Sequence, residues 1–166
     1  MFYNYQEFNQ IASLAEELIR NHVQLRQICQ QEFSGGTFLQ WPEPIHNGGW
    51  TVHGRVWEDQ TISKTTDVLS TILFKSREMI RTAGFSRLEP HTEIAPHKGY
   101  TGDVLRFHLG IDIPDGDCAL IVDGVTKKWK NGEILIFDDT FEHSAHNRTD
   151  HPRTVLLLDI YKRCFQ

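Results

Sequence analysis

Paired cysteines, a leader, a membrane span and a block of like charge are all missing from this sequence, and each absence removes a class of function. Cys29, Cys118 and Cys164 stand far apart with no C-x-x-C pair, which leaves neither a zinc ribbon nor a dithiol redox pair. Free thiols suit a reducing compartment, so a cytoplasmic location is expected. The opening MFYNYQEFNQ has no basic stretch followed by an apolar one, and no run approaches the roughly 18 uninterrupted apolar residues of a spanning helix. With 17 basic and 22 acidic residues the formal charge is −5, and like charges never cluster, which argues against a nucleic-acid partner. Repeats and low-complexity tracts are absent too. No heptad or long edge strand defines an oligomeric state. The 166 residues suffice for one well-buried core but would cramp two, so one domain over 1–166 is expected.

Apolar spacing divides the chain into unlike halves. Phe8, Ile11, Ala15, Leu18 and Ile19 recur at helical intervals, with polar residues mostly elsewhere, and predict a helix in whose segment His22 also falls. A second helix is predicted from a cap at Thr66 or Asp67, through Val68, Leu69, Ile72, Leu73, Met79 and Ile80, to a stop at Gly84. The glycine- and proline-broken stretch between them holds one strand candidate, WTVHGRVW. From Phe85 the period shortens: FSRLEP, VLRFHLGI, CALIV, VTKKW, EILIF and RTVLLLDIY read as strands, with Asp123-Gly124 as a tight hairpin turn. A helix-rich part of about 1–84 and a β core of about 85–161 predict a mainly β fold with flanking α-helices, a jelly roll or sandwich.

Nine histidines is a high count, and His97, His108, His143, His146 and His151 fall in the β-rich half beside expected strand ends. A lone histidine is usually a surface or hydrogen-bonded residue, so the set must carry the case. His97 and His143 lie on strands that a jelly roll can set side by side, placing two imidazoles around one cation; imidazole alone does not choose between iron, zinc, copper and nickel. In EIAPHKGYTG the position two after His97 is Gly99, where many non-haem iron sites carry an aspartate that completes two histidines and a carboxylate. Arg153 heads the apolar strand RTVLLLDIY, where its permanent charge faces either solvent or an anion such as a dicarboxylate. Arg106 and His108 alternate with Leu105, Phe107 and Leu109, which puts both polar groups on one face of a strand.

FSRLEPHTEIAPHKG, LRFHLGIDIP and W-x-x-G-E-I-L-I-F-D-D-T-F-E-H with the arginine beyond it together resemble the aspartyl/asparaginyl β-hydroxylase family, over roughly residues 85–161. The resemblance implies a double-stranded β-helix (jelly roll, cupin-like) and an Fe(II)- and 2-oxoglutarate-dependent dioxygenase that uses O2 to hydroxylate an amino acid, a peptide side chain or an acyl group. It implies His97 and His143 as metal ligands with Gly99 leaving a coordination position open. Arg153 and Ser86 are implied at the distal carboxylate of 2-oxoglutarate, and Arg106 and His108 near its metal-binding end. Asp138, Asp139 and Glu142 are then turn or supporting residues that orient His143. Pro90-His91 departs from the proline-glycine common in the family at that point. The open ligand position also admits a halogenase, and a third alternative is a jelly-roll binding module that performs no oxidation. Substrate contacts are expected from Trp41, Trp50, Arg55 and Trp57 and from loops near Lys98 and Tyr100.

Overall fold

The computed structural model describes residues 1–166. In chain order its elements are β1 (Phe2–Tyr3), α1 (Asn9–Arg20), α2 (His22–Ser34), β2 (Leu39–Gln40), β3 (Trp50–Trp57), β4 (Gln60–Thr61), α3 (Val68–Lys75), β5 (Ile80–Leu88), β6 (Thr92–His97), β7 (Val104–Asp112), β8 (Cys118–Val122), β9 (Val125–Lys127), β10 (Ile134–Phe137), β11 (His143–Asn147) and β12 (Arg153–Tyr161). Two antiparallel sheets face one another: a major sheet ordered β1-β10-β7-β12-β5-β3-β2, with β4 on β3, and a minor sheet ordered β6-β11-β8-β9. This is the expected double-stranded β-helix with helices flanking one sheet.

Strand alternation sorts the side chains of the major sheet into two layers. Phe85, Leu105, Phe107, Leu109, Leu156, Leu158 and Ile160 are buried in one cluster with Ile11, Leu14 and Leu18 of α1, Leu25 of α2 and Leu69, Ile72 and Leu73 of α3. Each such side chain contributes about 1.5–3 kcal/mol by leaving water. The opposite face, turned toward the minor sheet, presents Ser86, Arg106, His108, Arg153 and Asp159 among Trp50, Leu88, Phe137 and Val155. One face of the sheet holds the helices, and the other carries chemistry.

Several sequence expectations need correction. Asp67 does cap α3, its carboxylate accepting from Ser70 N–H at 2.8 Å, but the helix ends at Lys75 and Ile80 opens strand β5. Pairing of Ile80 with Ile160 on β12, with Tyr161 N–H donating to the Met79 carbonyl at 2.9 Å, overrides the helical spacing of Met79 and Ile80. Gly84 is therefore no helix stop: it lies opposite Gly54 in mid-strand, where a Cβ would sit 2.6 Å from the His53 carbonyl oxygen. His22 belongs not to the first helix but to α2, which buries only Leu25 and Cys29 and so shows little apolar periodicity. Strands β6 and β11 also lie outside the expected set. The hairpin at Asp123-Gly124 joins β8 to β9 with φ of +50° and +75°, the left-handed conformation its residues favour.

Candidate active site

Strands β6 and β11 pair so that His143 lies opposite His97, just before a bulge. The two rings stand 4.2 Å apart between centroids. Each ring is fixed the same way: Nδ1–H of His97 donates to the Ala95 carbonyl at 2.8 Å, and Nδ1–H of His143 donates to the Phe141 carbonyl at 3.0 Å. A carbonyl only accepts, so the proton sits on Nδ1 and each Nε2 keeps its lone pair. Burial, reinforced by His97 and Arg106 nearby, pulls the His143 pKa down to about 4, which keeps that ring neutral and ready to bind a cation. The turn leading into β11 is tied by Asp138, which accepts from Thr140 N–H and Oγ1–H at 3.1 and 2.7 Å and from Lys162 at 2.7 Å. Glu142 has no such role; its side chain is exposed.

Gly99 packs against a carboxylate that comes from elsewhere. Its N–H donates to the Asp139 carbonyl at 2.7 Å, and a Cβ on residue 99 would lie within 2.5 Å of the Asp139 carboxylate. That carboxylate is buried and neither oxygen accepts a hydrogen bond; Arg106 stands 3.4 Å away. Burial raises its pKa, with Arg106 and His97 pulling the other way. No group of three His, Cys, Asp or Glu side chains gathers in metal-binding geometry, so the chain offers two imidazoles, with Asp139 beside them rather than as a third ligand.

Deeper between the sheets, Arg153 is 2% exposed and has no carboxylate partner. Its guanidinium lies 4.5 Å from the Trp129 ring centroid and donates once, to the Ser86 carbonyl at 3.3 Å, while Nε–H has no partner. Burial pulls its pKa down to about 10, so it remains cationic at neutral pH. His108 accepts from Trp129 Nε1–H at 3.2 Å through Nδ1, which puts its own proton on Nε2. That Nε2 is buried without a partner. Burial and the neighbouring Arg153 and Arg106 charges hold the His108 pKa well below 6.5, so the ring is a neutral donor. Ser86 Oγ accepts from Trp50 Nε1–H at 3.0 Å. An isolated buried guanidinium and an idle N–H are costly to maintain unless an anion answers them. A divalent cation on two imidazoles and a dicarboxylate beneath it fit this donor set.

The structure therefore brings Ser86, His97, Arg106, His108, His143 and Arg153 around one cavity. Arg106 is more heavily engaged than its sequence suggested, because Asp159 on β12 takes its fork at 2.9 and 3.2 Å. Burial works against the Arg106 charge, but Asp159 and Asp139 more than offset that and raise its pKa. His146 and His151 are not at the mouth: His146 Nε2 bonds Asp117 at 2.7 Å, and the exposed His151 serves through its carbonyl, which accepts from Asn147. Arg55 faces away, buried between Glu32 and Asp67 at 2.9 Å each. It borders the largest cavity, about 710 Å³, which contains none of the site residues. Trp41, Trp50, Trp57 and Tyr100 do line a cleft next to the site. Trp129 and Asp159 escaped the sequence reading. Trp129 stands in the W-x-x-G-E string, and nothing in that string shows that its indole serves both Arg153 and His108.

Facing antiparallel sheets with paired imidazoles and a buried guanidinium between them define a jelly-roll protein of the cupin type built around an interior polar pocket. Residues 6–163 match the family model described as Aspartyl/Asparaginyl beta-hydroxylase, and the chain belongs to that family. It is 42% identical over 85 residues to the ornithine lipid ester-linked acyl 2-hydroxylase of Rhizobium tropici, covering 50% of this chain and 30% of the relative. It is 29% identical over 161 residues to the human aspartyl/asparaginyl beta-hydroxylase, covering 89% of this chain and 21% of the relative. The chain thus spans under a third of either relative's length. A prolyl-4-hydroxylase of Pseudomonas putida superposes with a TM-score of 0.65 at 12% identity, covering 90% of this chain and 97% of that one. The alpha-ketoglutarate dependent carbocyclase SnoK from nogalamycin biosynthesis superposes at 0.63 and 13% identity, covering 86% and 75%. At such identities these two matches speak for the fold alone.

Proposed function

We propose that the chain is an Fe(II)- and 2-oxoglutarate-dependent dioxygenase that hydroxylates an unactivated C–H bond of a small-molecule, peptide or acyl substrate. The observation that carries this reading is Arg153, a buried guanidinium with no carboxylate partner, on the same cavity wall as two imidazoles whose Nε2 lone pairs are free. When bound, iron and 2-oxoglutarate supply the oxidant from O2, giving hydroxylated substrate, succinate and CO2.

His97 and His143 hold the metal, their Nδ1–H bonds fixing ring orientation and leaving the opposite nitrogen as ligand. Arg153, 4.5 Å from the Trp129 ring centroid, would offer its planar fork to the distal carboxylate, with Ser86 beside it. His108, held neutral, donates its idle Nε2–H to the bound diacid. Arg106 borders the same cavity, its fork held by Asp159 and its charge 3.4 Å from the Asp139 carboxylate that packs against Gly99. A carboxyl group already packed against Gly99 would leave little room for a further anion there, so hydroxylation is a better fit than halogen transfer. Three unpaired thiols support a cytoplasmic location.

The test measures succinate formation and tight metal stoichiometry together. Succinate release that needs both Fe(II) and 2-oxoglutarate, with one metal per chain that His97→Ala or His143→Ala abolishes, is the expected result. A chain with no stoichiometric need for Fe(II) and no succinate formation fits the binding-module alternative, and the proposal fails.

A further inference from the structure

Three imidazoles border the cavity between the sheets, those of His97, His108 and His143. What each can do is decided by the group that faces its Nδ1. His97 and His143 each face a backbone carbonyl, which keeps the proton on Nδ1 and leaves Nε2 able to bind a cation. His108 instead faces the indole N–H of Trp129 at 3.2 Å. An indole nitrogen only donates, so the neutral His108 ring carries its proton on Nε2, where it can donate to an anion but cannot ligate a metal. That nitrogen is buried and has no partner in the protein.

Trp129 acts on a second group through its ring face. The Arg153 guanidinium lies 4.5 Å from the ring centroid, and its hydrogen bond to the Ser86 carbonyl is long at 3.3 Å, so the indole face meets a charge that no carboxylate answers. Trp129 itself is 4% exposed and lies outside the strands, in the connection between β9 and β10. The chain that follows it is clamped on β7. Gly110 N–H donates to the Glu133 carbonyl at 3.0 Å, and Gly132 N–H donates to the Gly110 carbonyl at 2.9 Å. A side chain at residue 110 would run into the Lys130 carbonyl, so glycine is what permits this approach. Gly110 stands two residues along β7 from His108, and the clamp therefore brings the indole to the imidazole.

We infer that Trp129 is a positioning residue of the site, whose N–H fixes His108 as an Nε2–H donor and whose ring face holds the Arg153 guanidinium, so that one side chain sets both groups that meet the bound diacid. The inference deepens the oxygenase reading and rests on it. It also divides the labour among the three imidazoles: the third lines the same cavity, and its tautomer keeps it from the metal.

The experiment reads the tautomers directly, by nitrogen NMR of isotope-labelled histidine at about pH 8, where the rings are neutral, on the metal-free protein and with Zn(II) in place of Fe(II). The nitrogen shifts show which ring atom carries the proton, and His108 is assigned from the signals lost in His108→Phe. In the parent, Nδ1 of His108 is expected bare and Nε2 protonated, with the reverse in metal-free His97 and His143. Trp129→Phe keeps a ring for Arg153 and removes the N–H. It is expected to give a mixture of His108 tautomers and to weaken 2-oxoglutarate binding to the Zn(II)-loaded protein about threefold to tenfold, with Zn(II) stoichiometry unchanged. In the His108→Phe background the same substitution should change 2-oxoglutarate binding by less than about twofold, whereas a Trp129 that merely packs would cost as much there as in the parent. A parent protonated at His108 Nδ1 overturns the inference whether or not any variant folds. A Trp129→Phe protein with the parental tautomer and affinity, or equal losses in the two backgrounds, overturns it as well. A parent that binds no 2-oxoglutarate while His108 reads as Nε2–H removes the oxygenase reading and leaves the tautomer assignment standing.

Discussion

Placing a methyl group on residue 99 tests whether Asp139 excludes a side chain there. In the native arrangement the new Cβ of Gly99→Ala lies 2.5 Å from Asp139 Oδ1, where ordinary contact needs 3.4 Å or more. Asp139 has little room to retreat: it is 1% exposed, its carbonyl accepts the Gly99 N–H at 2.7 Å, and Arg106 holds its carboxylate at 3.4 Å. Overpacking of this kind costs about 1–3 kcal/mol, and losing the Gly99–Asp139 bond adds about 1 kcal/mol. Gly99→Ala is therefore expected to destabilise the metal-free protein by roughly 2–4 kcal/mol, a fall in melting temperature of roughly 5–15 °C. Asp139→Ala removes the obstacle, so in the double variant most of that cost should vanish, a coupling of about 1–3 kcal/mol. Gly99→Asp should be worse than alanine, since it sets two carboxylates face to face, and it should acquire a third metal ligand only when Asp139 is replaced as well. Urea unfolding of the four metal-free proteins measures the cycle. A Gly99→Ala protein as stable as the parent, or costs that simply add, would refute steric exclusion by Asp139.

Arg153→Met should stabilise the ligand-free protein by about 1–3 kcal/mol by removing an unpaired buried charge. It should also abolish the stabilisation that saturating 2-oxoglutarate gives the parent, about 2.7 kcal/mol at a hundredfold excess over Kd; denaturant titration reads both, and a destabilised variant that still responds to 2-oxoglutarate contradicts the assignment. Acidification should destabilise the metal-free protein between about pH 6.5 and 4, because His143 at about 4 and His108 well below 6.5 take up protons less readily folded than unfolded. Their contribution is complete above the unfolded value and lost as pH falls, on the order of 3 kcal/mol for His143, opposed by Asp139 with its raised pKa; stability that stays flat from pH 7 to 4.5 sinks the argument. His91 holds a φ of +59°, so His91→Gly should raise the unfolding free energy by about 0.5–1 kcal/mol and with it the denaturation midpoint, the exposed pair with Asp150 adding little. A lowered midpoint shows that the strain is not there.

How far the sequence revealed the molecule follows from which forces act locally. The outer layer of the major sheet was legible in β7, where Leu105, Phe107 and Leu109 alternate with Arg106 and His108, because burial on one face writes a period of two into the chain. The Asp123-Gly124 turn was legible for the same local reason, both residues tolerating positive φ. Strands β6 and β11 were not, although they carry the two histidines. TEIAPH and HSAHN lack an apolar stripe, since the buried side chains they contribute mix Ile94 and Ala145 with Thr92, His143, His146 and Asn147. Ile80 misled because its partner, Ile160 on β12, lies 80 residues away in sequence. Within the site the imidazoles and Arg153 were visible as residue types at informative places. The indole of Trp129 that serves two of them, and Asp159 that takes the Arg106 fork, depend on pairings no local pattern records. The Pro90-His91 departure was visible, and the structure gives it a meaning: His91 occupies a conformation that glycine adopts without strain.

The two faces of the major sheet hold opposite balances of stability and function. On β12, Leu156, Leu158 and Ile160 are wholly buried against the helices, and truncating any of them should cost about 2–5 kcal/mol. Arg153 on the same strand is as deeply buried on the other face, yet makes one hydrogen bond to the protein and leaves Nε without a partner. His108 on β7 repeats the pattern, accepting from Trp129 and leaving its own donor idle. A fold under selection for stability alone would fill these positions with hydrocarbon, because an unpaired polar group in the interior opposes folding. Their presence side by side, next to two imidazoles with free lone pairs, is what the proposed cation and diacid would account for, since binding of the two together would offset the cost of these buried groups.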